Sequence, residues 1–470
     1  MSSKYSMNVD QTSINVDHEK NKLKATNIHT GEADDLEFPE GGRGWLMVLG
    51  SGIASAVCFG MVYSYGVFQT HYETELFPTL PSSKLSIIGA LQTSIIYLLT
   101  PFCLPLAHAF GIRSCLAFGC IMKIIALFGL STTDANSLWK CYVFQAVFFG
   151  IGGALLFSIS MAVPSEWFKR KRASAFGISA AFVGVGGVMW PIIFKQMIHK
   201  YGFSWTVKTI GFIYIPLSIG IVLLMPQKIE TKYLHKAETV SNSEFNLDNI
   251  KSIPQRYRDI FKNWRIVSKN FRFVVILLSN LLGILGSYPA IFYIDFFGST
   301  LGPNFKITAY ITVLYVSIGF PGRVIPAIIA DHIGRINVLL LCLLTFASST
   351  FLFWIPAIKE QSMVLYVIFV AVFGFTAGPL FSLYPASLGQ LFGIHGSEAR
   401  IGLFFLVGSP GPIIGCLIAG SFIPTDSSNR ELIIHSFYKL VIYSGVILMG
   451  CVVLLGCIRL SISKKPWVFI

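Results

Sequence analysis

The sequence predicts an all-α membrane protein: twelve transmembrane helices in two six-helix halves, with both termini cytoplasmic. Three observations predict it. First, the chain carries twelve apolar runs, each about 19–26 residues, and about 20 are needed to cross the hydrocarbon core. Second, hydrophobic residues make up 54% of the chain and charged residues 13%. That charged share is about half of what a soluble domain carries. Third, basic residues crowd into loops on one side, which sets the orientation.

The elements follow in order. Residues 1–40 hold eight acids and four lysines before the first apolar run, the composition of a disordered cytoplasmic tail. No cleavable signal is present, so the first span serves as an uncleaved anchor. The N-terminal half, 41–225, has spans at 45–69, 85–108, 114–133, 138–163, 174–198 and 203–225. Residues 226–272 form a basic cytoplasmic loop with ten Lys/Arg against five acids. Its Ile260, Trp264 and Val267 share one helical face, which reads as an interfacial helix on an anionic leaflet. The C-terminal half, 273–459, has spans at 273–297, 307–329, 337–357, 362–387, 399–421 and 437–459, and 460–470 is a cytoplasmic tail.

Orientation rests on Lys169, Arg170, Lys171 and Arg172, which stand in a row in the 4–5 loop, on the same side as the basic insert. The opposite side shows only scattered lysines such as Lys84, Lys140, Lys306 and Lys359. The same placement removes nucleic acid as a partner despite the net charge of +13, because the cations sit where membrane topology puts them.

Several chemistries are set aside. All nine cysteines lie in or beside apolar runs and read as small buried hydrophobes. Gly184-Val185-Gly186 lies inside an apolar span and follows no strand, so it is not a nucleotide loop. No GxxxxGK[ST], metal-ligand spacing or nucleophile motif occurs, so neither an enzyme nor a cofactor is expected. Gly150, Gly152, Gly153, Gly184, Gly186 and Gly187 suit close helix packing. Pro289, Pro379, Pro385, Pro410 and Pro412 suit kinks.

The halves read as distant repeats. Pro105 to Gly111, after span two, parallels Ile328 to Gly334, after span eight. Ala107 matches Ala330, Gly111 matches Gly334, and His108 stands where Asp331 stands. Such repeats place a site near the midplane between the halves.

Charge inside the bilayer is costly and marks function by default. Asp295, near the outer end of span seven, is the one acid placed inside a span; Lys123, Lys195, Lys208 and Arg323 are the intramembrane bases considered. Arg323 precedes Asp331 by eight residues, about 12 Å of helix, so it sits near the midplane. Its planar fork fits a carboxylate through two parallel hydrogen bonds. Lys123 is also near the midplane, whereas Lys195 and Lys208 are expected as anchors at the outer and inner ends of their spans. Gln145 and Asn280 are the polar candidates.

Gly322-Arg323 through Ala330-Asp331-His332-Ile333-Gly334-Arg335 resembles the loop motif of the major facilitator superfamily. Glu40-Gly41-Gly42-Arg43-Gly44-Trp45, opening span one, is similar to the first signature of the monocarboxylate porter family. Trp167-Phe168-Lys169-Arg170-Lys171-Arg172-Ala173-Ser174-Ala175-Phe176-Gly177 resembles its second. Gly374 to Gly378, and on through Ala399-Arg400-Ile401-Gly402, is similar to the fungal branch of that family. The resemblance covers about 40–460.

That resemblance implies the major facilitator fold and a secondary transporter of a small organic solute, a monocarboxylate-like anion, working by alternating access. Arg323 matches the family's substrate-binding arginine. Spans one, four, seven and ten line the family's cavity, which brings Tyr63, Tyr65, Tyr288, Tyr293, Phe381 and Tyr384 towards it. Of these, Tyr63, Tyr288, Phe381 and Tyr384 join Arg323 as expected substrate contacts. The gate falls to His108, Gly111, Asp331, Gly334, Arg335, Lys169 and Arg170. A monomer is implied, with the plasma membrane as its expected location and the vacuolar membrane as the alternative.

Two positions depart from the animal members. Tyr63 stands where they carry a lysine, and Gly319 where they carry an aspartate four residues before the arginine. Without that pair, Lys123, Asp295 or His108 are the groups left for proton coupling. Two other functions stay in view. The fungal branch includes riboflavin facilitators, so a larger planar nutrient is one. A nutrient sensor that transports little is the other, and it fits less well with tails of about 40 and 11 residues.

Overall fold

A backbone in hydrocarbon must bond to itself, which leaves the helix as the form for a single apolar run. The computed structural model describes residues 42–80, 82–168, 171–225, 253–301, 310–393, 397–423 and 430–462. Among them it is helical throughout, with no strand. Twelve of the helices are long and apolar enough to cross a membrane. They are α1 (Arg43–His71), α2 (Lys84–Phe110), α3 (Ile112–Leu130), α4 (Leu138–Pro164), α5 (Ser174–Tyr201) and α6 (Phe203–Leu224). The second set is α7 (Phe271–Leu301), α8 (Ile311–Ile333), α9 (Arg335–Lys359), α10 (Met363–Phe392), α11 (Ala399–Gly420) and α12 (Glu431–Ile462). Glu40, Gly41, Lys169, Arg170, the expected tail 1–40 and all but 460–462 of the expected tail 460–470 lie outside the described residues.

The largest boundary difference is at α12, which starts at Glu431 rather than 437, because its first turn is amphipathic and not apolar. Both helices carrying Pro289, Pro379 and Pro385 run on through them, whereas α11 is broken between Gly408 and Gly411 around Pro410. Helix α1 is interrupted at Ser64, whose hydroxyl donates to the Gly60 carbonyl at 2.7 Å.

Glycine sets how closely the helices approach, as expected where packing rather than water drives association. A Cβ on Gly186 of α5 would lie 2.4 Å from the Ala56 carbonyl oxygen of α1. One on Gly152 of α4 would lie 2.5 Å from the Gly119 carbonyl oxygen of α3, and one on Gly322 of α8 only 2.1 Å from that of Phe375 on α10. Between the two sets of six, α5 packs on α8 and α2 on α11. Gly177 faces Ala327 at the first contact, and Gly402 faces Pro101 at the second. Under the repeat these two pairings are equivalent, since two and eleven map to eight and five. Gly111 and Gly334 end α2 and α8 with φ of 88° and 109°, a left-handed backbone that only glycine adopts without strain.

An even number of crossings leaves Arg43 and Ile462 at one end of the bundle, called the terminal end below. Lys195 and Lys208 were expected at opposite ends. Instead they flank the turn at Gly202 that joins α5 to α6, so both lie towards the far end. The insert supplies a helix, Ile253–Val267, and two of its side chains bond to the bundle. The Tyr257 hydroxyl donates to the Phe102 carbonyl of α2 at 3.0 Å, and the Trp264 indole N–H to the Ala399 carbonyl of α11 at 2.7 Å. The helix therefore straps α2 to α11 and leaves Arg258, Lys262, Arg265 and Lys269 exposed.

Candidate functional site

A narrow crevice opens in the far half of the bundle among α1, α5, α7 and α8. Phe59, Val62, Tyr63 and Gly66 of α1 line it, with Tyr288, Ile291, Phe292 and Asp295 of α7 and Thr312 of α8. Towards the mouth, Tyr63, Asp295 and Thr312 are joined by Lys195 of α5 and by Tyr310. Rings and aliphatic chains make up most of the wall, so it suits an apolar or flat body.

Behind Tyr63 lies Arg323, near the middle of α8 and only 4% exposed. Its Nη2 donates to the Tyr63 hydroxyl at 3.2 Å. Its Nε and Nη1 are buried with no hydrogen-bond partner among the described residues. Nη1 faces Gly184 and Gly319, whose added Cβ atoms would stand 3.5 and 3.4 Å from it. The lack of a side chain at these two positions lets the guanidinium lie close against the backbone of α5 and α8. A guanidinium buried with one neutral partner is a group that an anion could satisfy.

Asp295 is already engaged. It accepts from the Thr312 backbone N–H at 2.9 Å and from the Thr312 hydroxyl at 2.6 Å, which anchors the first turn of α8. Lys195 is the cation acting on it across the crevice. Tyr288 lines the crevice and shares a 2.8 Å hydroxyl contact with Tyr97 of α2. Tyr97 in turn stacks on Phe405 of α11 with ring centroids 5.3 Å apart, and meets Phe157 of α4 at 6.1 Å. These rings close the crevice floor on the terminal side.

Other candidates go elsewhere. Tyr384 is fully buried within the second half, its hydroxyl 2.7 Å from Ser279 of α7, which also donates to the Cys451 carbonyl of α12. Phe381 is partly buried against the core and is not among the residues lining the crevice. Lys123 is fully buried inside the first half; its Nζ donates to the Val57 carbonyl at 3.0 Å and sits 4.1 Å over the Phe149 ring. Asn280 donates to the Phe404 carbonyl at 2.8 Å, and Gln145 accepts from the Tyr72 hydroxyl at 2.7 Å, so both act as interhelical ties. Eight of the nine cysteines are buried and all are free thiols.

At the terminal end the loop motif is assembled. Asp331 Oδ2 accepts from the Ser174 backbone N–H at 3.2 Å and hydroxyl at 3.1 Å, and Oδ1 meets Arg335 at 3.3 Å. Arg335 also donates to the Ala386 carbonyl at 3.2 Å, so α5, α8, α9 and α10 are knitted together here. His108 is half-buried near the matching end of α2. The two signature segments also meet. Trp45 packs on Phe168 with centroids 4.9 Å apart, and a Cβ on Gly44 would stand 3.1 Å from that ring.

Sequence reasoning missed Ser174, Tyr97, Phe59 and Thr312. Ser174 lies inside the quoted signature, and Tyr97 is the lone tyrosine of its span; neither shows its partner, because both partners come from the other half.

The comparisons agree with this architecture. The sequence model described as Major Facilitator Superfamily matches residues 44–416. The MFS-type transporter pynF of Aspergillus niger is 27% identical over 434 residues, 91% of this chain and 91% of that protein. The riboflavin transporter MCH5 of Saccharomyces cerevisiae is 26% identical over 404 residues, 82% of this chain and 73% of that protein. The aspyridones efflux protein apdF of Emericella nidulans is 26% identical over 429 residues, 90% and 81% respectively.

Proposed function

Since the chain belongs to the major facilitator superfamily, and so is an integral, multi-pass membrane transporter rather than an enzyme, we propose that it moves a small organic anion by alternating access. The solute is a monocarboxylate-like molecule with a flat or apolar body. One observation carries the reading: buried Arg323 keeps Nε and Nη1 without hydrogen-bond partners among the described residues, behind the Tyr63 wall of the crevice. A carboxylate binding there gains charge-assisted hydrogen bonds and relieves the unsatisfied charge. The aromatic wall takes the rest of the solute.

Within the superfamily, we assign the chain to the monocarboxylate porter branch. The contact of Gly44 and Trp45 with Trp167 and Phe168 supports this, because it gives both signatures a shared structural role. The positive-inside rule makes the terminal end cytoplasmic, so the crevice opens to the other side. We place the protein in the plasma membrane as a monomer. With tyrosine at 63 and glycine at 319, any proton coupling falls on Asp295, the acid that lines the crevice.

A second reading is a planar nutrient such as a flavin. The rings of Phe59, Tyr63, Tyr288 and Phe292 favour it, as does the riboflavin transporter among the relatives. Uptake of labelled lactate, benzoate and riboflavin at pH 5 and pH 7, in cells lacking and overproducing the protein, separates the readings. Carboxylate uptake that Arg323→Ala abolishes supports the first. Flavin uptake that Arg323→Ala leaves unchanged overturns it.

A further inference from the structure

We infer that Tyr63 is an internal stand-in for the substrate: its hydroxyl occupies Arg323 in this arrangement, latches α1 to α8, and must be displaced for a carboxylate to bind. The inference rests on the reading of Arg323 as the anion site. Three observations carry it beyond that reading. The Tyr63 ring lines the crevice while its hydroxyl accepts from Arg323 Nη2 at 3.2 Å, so Tyr63 stands between the open space and the guanidinium. Among the described residues that bond is Arg323's one hydrogen bond, and it joins residues 260 apart, one in each half of the bundle. Finally, the ring is only partly buried: one side packs on α5, where a Cβ on Gly187 would approach it to 3.0 Å, and it lines open space of the crevice, with the Tyr315 ring 6.4 Å away between centroids.

The consequence is a coupling between binding and movement. A neutral phenol is a weaker partner for a guanidinium than a carboxylate is. An arriving carboxylate therefore takes Arg323, and the released Tyr63 no longer ties α1 to α8. Substrate binding itself undoes one of the links that hold the two halves in this arrangement. A ligand shifts a conformational equilibrium only through contacts that differ between its states, and this exchange supplies such a difference.

The test needs no known substrate. Purified full-length protein is treated with phenylglyoxal, and the rate of adduct formation at Arg323 is followed by peptide mass spectrometry, with exposed Arg258 as the internal reference. Tyr63→Phe keeps the ring and deletes the hydroxyl. Tyr315→Phe, a neighbouring ring that makes no hydrogen bond to Arg323, is the control. The expected result is modification of Arg323 at least about tenfold faster in Tyr63→Phe, the scale of a lost bond to a charged group, with no change in Tyr315→Phe. Equal rates in wild type and Tyr63→Phe overturn the latch, and so does equal acceleration by both substitutions. Benzoate added to the wild type tests the underlying site separately. If Tyr63→Phe accelerates the reaction but millimolar benzoate does not slow it, the latch stands and benzoate is excluded as an Arg323 ligand.

Discussion

Asp331 and Ser174 are joined twice across the two halves: Oδ2 of Asp331 accepts from both the backbone N–H and the hydroxyl of Ser174, at 3.2 and 3.1 Å. The carboxylate also meets the positive end of the α5 dipole, since Ser174 lies in that helix's first turn. This clasp lies at the terminal end, away from the crevice. Asp331→Ala is expected to lower the maximal transport rate about tenfold, the scale of a lost charge-assisted bond, while KM stays within about twofold. Initial-rate kinetics check this, and a selective rise in KM would contradict it.

Helix packing makes a sharper structural prediction. A Cβ on Gly322 would stand 2.1 Å from the Phe375 carbonyl oxygen, an overlap with backbone that no rotamer relieves. Gly220 has nothing within 4 Å. Gly322→Ala should cost about 3 kcal/mol or more and lower the melting temperature of the purified protein. Gly220→Ala should leave it unchanged or slightly raised, since alanine is the better helix former.

Lys123 is expected not to couple protons to transport. It is sealed in the first half by the Val57 carbonyl and the Phe149 ring. Replacing a buried charge with an apolar side chain of similar volume is often neutral. Lys123→Met should therefore retain at least about half the wild-type uptake, with the same dependence on pH between 5 and 7. Uptake that loses its pH dependence in this variant would return Lys123 to the mechanism.

The strap over α2 and α11 is tested through Trp264. Trp264→Phe keeps an aromatic ring but removes the donor to Ala399. The melting temperature should fall by an amount corresponding to about 1 kcal/mol, the usual worth of one neutral hydrogen bond. Burial pushes the partner Tyr257 hydroxyl up from its ordinary pKa, so its bond to Phe102 persists through neutral pH and the effect of Trp264→Phe should not vary between pH 6 and 8.

The fold was largely legible in the sequence because span length and apolar content are local properties. The twelve helices follow the apolar runs, and the positive φ at Gly111 and Gly334 matches the repeat read from Ala107 and Ala330. Arg323 was also legible, as a charge with no reason to be in lipid. The rest was not, because it depends on which residues meet across the halves. Tyr384 and Tyr63 look alike in sequence, yet one hydroxyl ties α10 to Ser279 and the other caps Arg323. Asp295 reads as a free carboxylate until Thr312, 17 residues later, supplies both its donors. That Tyr257 and Trp264 bond to α2 and α11 was equally hidden, because Phe102 and Ala399 lie more than a hundred residues away in the chain.

The central claim is that Arg323 holds the anionic group of the solute. The most direct measurement is uptake of the best-transported carboxylate by proteoliposomes containing wild type or Arg323→Gln, matched for the amount of folded protein. The account predicts a loss of at least about a hundredfold in kcat/KM, the scale of removing a buried charge-assisted pair. Uptake by Arg323→Gln within about twofold of wild type would contradict it.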